Sequence, residues 1–73
     1  MEEVMMETKD RLAAFEEMLV QVQNRYQDTT AKMEQLKADG KVKSATYRQL
    51  MGNKLMYQNM LSLYQVHGLV ETL

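Results

Sequence analysis

At 73 residues the chain has room for one domain at most, with a poor ratio of core to surface. The absence of Cys excludes disulfides and thiolate metal sites, and a single His excludes a histidine-based zinc site within one chain. A net charge of −1 gives no global attraction to nucleic acid or acidic membranes, so self-association or a partner is left to supply the burial that a domain this small lacks.

The first helix is marked by a long heptad-like pattern. Leu12, Phe15, Leu19, Val22, Tyr26, Thr29, Met33 and Leu36 follow one another at alternating spacings of 3 and 4, and all but Thr29 are apolar. Met5 and Thr8 extend the register upstream. Such a seam belongs to a helix packed lengthwise on a partner helix, as in a coiled coil. The pattern predicts a helix over about residues 3–39, stopped by Gly40 in the left-handed position that favours glycine. Glu2, Glu3 and Glu7 near its start and Lys32 and Lys37 near its end suit the helix dipole.

Residues 40–43 form the expected turn. Two starts compete for the second helix: Ser44 as an N-cap, or Thr46 with Gln49 as a capping box. Ser44 is favoured, giving a helix over about residues 44–67, with His67 in its last turn and Gly68 as a second stop. Leu69 is then placed to fold back as the apolar contact that accompanies such a cap. The second seam is Tyr47, Leu50, Lys54, Tyr57, Leu61 and Tyr64. A short turn makes the two helices antiparallel. Aligned outward from the turn, the seams set Met33 near Leu50, Val22 near Leu61 and Leu19 near Tyr64, with Leu12 and Phe15 beside Gly68, Leu69 and Leu73. The expected fold is therefore all-α: an antiparallel two-helix hairpin that dimerises into a four-helix bundle. In general shape it resembles small hairpins of that kind, without a shared motif, so the likeness implies nothing about function.

The dimer expectation rests on surplus apolar surface. Met51 and Leu55 flank the second seam on one side, while Met56, Met60 and Leu63 lie on another face. A helix apolar over most of its circumference is buried on more than one side, which makes Met51, Leu55, Met56, Met60 and Leu63 the candidate dimer contacts. The Met content also suits an adaptable binding surface, leaving room for a further protein partner. The tyrosines have core spacing, with hydroxyls reaching the rim. Thr29 and Lys54 are the polar members of the two seams and fall opposite each other. They are candidates for setting register or oligomeric state, although Lys54 can also snorkel.

Charge is unevenly spread. Residues 1–17 hold six acidic and two basic groups, and residues 32–54 hold six basic and two acidic groups, so the open end is acidic and the tip basic. Antiparallel association of two hairpins would place unlike ends together. Lys37, Lys41, Lys43 and Arg48 at the tip are the candidate anion or nucleic-acid contacts, but no third helix is present to make a helix-turn-helix domain.

No nucleotide-binding glycine pattern and no Cys nucleophile occurs, and the adjacent carboxylates Glu2–Glu3 and Glu16–Glu17 point to different sides of a helix. No catalytic, metal or cofactor site is expected. Acidic groups precede any long apolar run and no stretch approaches 18 apolar residues, so neither a secretory signal nor a membrane span is expected. With the lack of Cys, this points to the cytoplasm. The sequence thus reads as a small non-enzymatic interaction or adaptor protein, a homodimer with no membrane association, with nucleic-acid binding through the tip as the alternative.

Overall fold

The computed structural model of the protein describes residues 8–70. Within them the chain forms two helices, α1 (Thr8–Ala38) and α2 (Ala45–Val66), which pack against each other. No strand occurs among the described residues. The chain measures 53 × 26 × 14 Å along its principal axes. Residues 3–7 of the expected first helix, with Glu2, Glu3, Met5 and Glu7, lie outside the described residues, as does Leu73.

The turn shows how the sequence ends one helix and starts the next. Gly40 has φ +73°. Its N–H donates to the Lys37 carbonyl at 3.0 Å, and the Lys41 N–H donates to the Leu36 carbonyl at 2.8 Å. These are the paired bonds of a Schellman cap, which satisfy carbonyls that the last helical turn leaves without partners. Lys37 stands in that last turn, where a cation is favoured. The chain then extends at Ser44 (φ −74°, ψ 156°), whose Oγ accepts the Tyr47 N–H at 3.1 Å. Ser44 Oγ also donates to the Lys41 carbonyl at 2.8 Å, tying the cap to the turn. Thr46 is already inside the helix, so the competing capping box does not form.

The far end repeats the first device. Gly68 has φ +74°. Its N–H donates to the Gln65 carbonyl and the Leu69 N–H to the Tyr64 carbonyl, both at 2.9 Å. His67 is the C-cap residue, one position beyond the last turn in which the sequence places it.

The core lies along the two seams. Val22, Met33 and Leu61 are its buried apolar members, and Leu61 is only 2% exposed. Leu19, Tyr26, Leu36, Tyr47, Leu50, Tyr57 and Tyr64 are half-buried. Thr29 is buried, at 7% exposure, and Lys54 is half-buried. Leu12 and Phe15 keep the period of the seam yet remain exposed; they stand near the end of α2, which stops at Val66.

Candidate interaction surface

Several of the apolar residues that the hairpin does not bury line open depressions on its surface. Arg11, Ala14, Phe15 and Met18 of α1 line one open depression. The next is lined by Met18, Gln21, Val22 and Arg25 from α1 and by Met56, Tyr57 and Met60 from α2. A third joins Phe15 to Met60, Leu63, Tyr64, His67 and Leu69. The three are neighbours that share Phe15, Met18 or Met60, and together they are called the groove below, with Arg11 and Arg25 among its α1 residues. A fourth depression, between Leu12, Leu19, Tyr64 and Leu69, closes the open end of the seam. Leu69, which stays exposed, lines it together with Tyr64.

Of the five candidate dimer contacts, Met56, Met60 and Leu63 line this groove. Met60 is half-buried and the other two are exposed. Met51 and Leu55 are also exposed but line none of these depressions. Five residues separate Met51 from Met56 and Leu55 from Met60, which turns each pair about 140° apart around the helix. The structure therefore splits the five between two sides of α2. Met18 and Phe15 complete the groove from α1. Phe15 is a seam residue, and nothing in its spacing marks it as a groove residue.

The basic tip is open. Lys37, Lys41, Lys43 and Arg48 are all exposed. They lie on three different segments: the last turn of α1, the connection, and the first turn of α2. This gives a patch of positive charge around the turn without a concave site. Among the described residues, no three His, Asp or Glu side chains are grouped to hold a metal ion. Among the described residues no helix is long and apolar enough to cross a membrane.

Comparison with protein-family models, with curated proteins and with solved structures finds no match. Any functional reading of this chain is carried by its own surface.

Proposed function

We propose that this chain is a small non-enzymatic interaction or adaptor protein that works as a homodimeric four-helix bundle. The observation that carries the reading is the imbalance between its core and its exposed apolar surface. Three apolar side chains are buried, while eleven large hydrophobic residues among those described are exposed.

Sedimentation equilibrium tests the reading. The wild-type chain is expected at twice 8.5 kDa. Changing Met56 and Met60 together to Lys should give monomers or unfolded chain, since burying two unpaired charges is costly. A wild-type chain that stays monomeric at every concentration refutes the dimer.

A second reading, nucleic-acid binding, is favoured by the four exposed cations around the turn. It predicts that nucleic acid co-purifies at low salt and is lost as salt rises. It also predicts that Lys41→Glu with Lys43→Glu abolishes the binding. A purified protein free of nucleic acid at low salt rejects this reading and leaves the first untouched.

A further inference from the structure

Sulfur in this chain is carried by thioethers alone: it has eight Met residues and no Cys. An oxidant therefore meets no thiol that would react in their place, and the first sulfur product is methionine sulfoxide. Three of the methionines stand together. Met18 of α1 and Met56 and Met60 of α2 line one depression of the groove. Met18 is 43% exposed and Met56 49% exposed, while Met60 is half-buried. Two others serve as internal references. Met33 is in the core at 6% exposure, and Met51 is as exposed as Met18 but lines none of these depressions.

Helix formation does not call for Met at the three positions, because Leu has a similar helix propensity and a similar volume. Met differs from Leu in its flexibility and in one reaction. A peroxide gives one oxygen to the thioether: an S–O bond forms, the O–O bond breaks, and the second oxygen leaves as water. The sulfur loses two electrons and the peroxide gains them. The product is a polar side chain where an apolar one stood.

We propose that Met18, Met56 and Met60 form a peroxide-sensitive modification site that decides whether the groove can be covered. This rests on the dimer reading above and adds regulation to it. In the separated chain the sulfoxide oxygens are solvated by water, and the exposed side chains of Gln21 and Arg25, which line the same depression, bring N–H donors to it. A second chain laid over the groove strips that water away, and a buried polar group without a hydrogen bond is costly. Oxidation therefore holds the chains apart while the seam within each hairpin stays intact, since Met33 is buried there. A dithiol-driven sulfoxide reductase reverses the step: the oxygen leaves as water and the dithiol becomes a disulfide.

The test is treatment of the full chain with hydrogen peroxide, read by peptide mass spectrometry and by sedimentation, with circular dichroism for helix content. Met18 and Met56 are expected to gain oxygen at least about tenfold faster than Met33. The dissociation constant should rise at least about tenfold, with helix content kept. Sulfoxide reductases for both epimers, supplied with dithiothreitol, should restore the dimer. Equal rates at Met18, Met56 and Met33 overturn the site. Oxidised chains that stay dimeric overturn the switch and leave the dimer reading standing. Loss of helix content together with the dimer also overturns the switch, since the lesion is then in the fold. Dilution gives a readout that needs no variant. As dimers dissociate, oxidation of Met18 and Met56 should quicken while that of Met51 stays constant. A common dependence on concentration, or none, overturns the link between the site and assembly. Changing Met18, Met56 and Met60 together to Leu should keep the dimer and make it resistant to peroxide, whereas Met51→Leu should leave it sensitive. A triple variant whose dimer is still lost to peroxide overturns the assignment of the switch to these residues. An untreated wild-type chain that is monomeric at every concentration removes the dimer reading and the switch with it, a result set apart from the others because it needs no peroxide.

Discussion

Gly40 and Gly52 allow one substitution to be made twice with opposite results. A Cβ added at either position meets nothing within 4 Å, so packing has no part in the comparison. Only the backbone differs. Gly40 has φ +73°, in the left-handed region, and ends α1. Gly52 sits inside α2 with an ordinary helical backbone and is exposed. Gly40→Ala forces an L side chain into the left-handed conformation and should cost about 1 kcal/mol. Gly52→Ala removes the entropic penalty of a helical glycine and should stabilise by about 0.5–1 kcal/mol. At ~2.1 cal/mol/K of unfolding entropy per residue, 1 kcal/mol over 73 residues moves the melting temperature by about 6 °C. Gly40→Ala should therefore melt about 6 °C lower and Gly52→Ala about 3–6 °C higher than the wild type.

The assay is thermal unfolding followed by circular dichroism at one fixed protein concentration, because a dimer's melting temperature depends on concentration. Shifts of the same sign refute the backbone argument. A Gly52→Ala variant that melts lower has one specific meaning: the open space beside Gly52 is filled in solution by another chain. Gly52 stands one turn before Met56 on the same face of α2, so such a contact would extend the interface along that face towards the tip.

Two further comparisons probe the caps and the core. Ser44→Ala should cost about 1 kcal/mol, since it removes the acceptor of the Tyr47 N–H, while Thr46→Ala should be close to neutral; equal losses in urea unfolding would revive the capping box. Leu61→Ala, at a side chain 2% exposed, should cost about 2–5 kcal/mol, against at most about 0.5 kcal/mol for Leu55→Ala in the same helix. A large loss at Leu55 in the same denaturation series would show that its side of α2 is covered.

Most of the fold was legible because period and punctuation agree. Every seam position from Leu19 to Leu36 and from Tyr47 to Tyr64 is buried or half-buried. The glycines that stop the helices are the two with positive φ. Phe15 and Leu12 depart from the pattern because a period cannot say where the facing helix ends. The surplus apolar residues of α2 were also legible as two groups. What escaped was the other wall of the groove. Met18 and Ala14 lie off the α1 seam, so they are noticed only once α2 has been placed beside them.

Thr29 and Lys54 meet the sequence expectation differently, and the difference can be tested. Thr29 is 7% exposed, and its hydroxyl makes no hydrogen bond among the described residues. Its neighbour Thr30, by contrast, donates to the Tyr26 carbonyl at 2.9 Å. A buried hydroxyl without a partner costs about 1–3 kcal/mol, and Val removes it with little change of shape. Thr29→Val should therefore stabilise the fold by about 1 kcal/mol or more. Lys54 is only half-buried, which fits a side chain that lays its methylenes on the core and keeps its ammonium in water. Any register-setting role then falls to Thr29. A polar residue in a seam fixes register by making the other alignments worse, at a cost in stability. If Thr29 has that role, Thr29→Val should melt higher yet give mixed oligomers by light scattering, while Lys54→Leu should remain one species. One clean species from both variants, each more stable, would reduce the polar layer to a local feature and end the register argument. A markedly less stable Lys54→Leu would contradict the snorkelling account, since it would require the ammonium to have a partner that stabilises the fold.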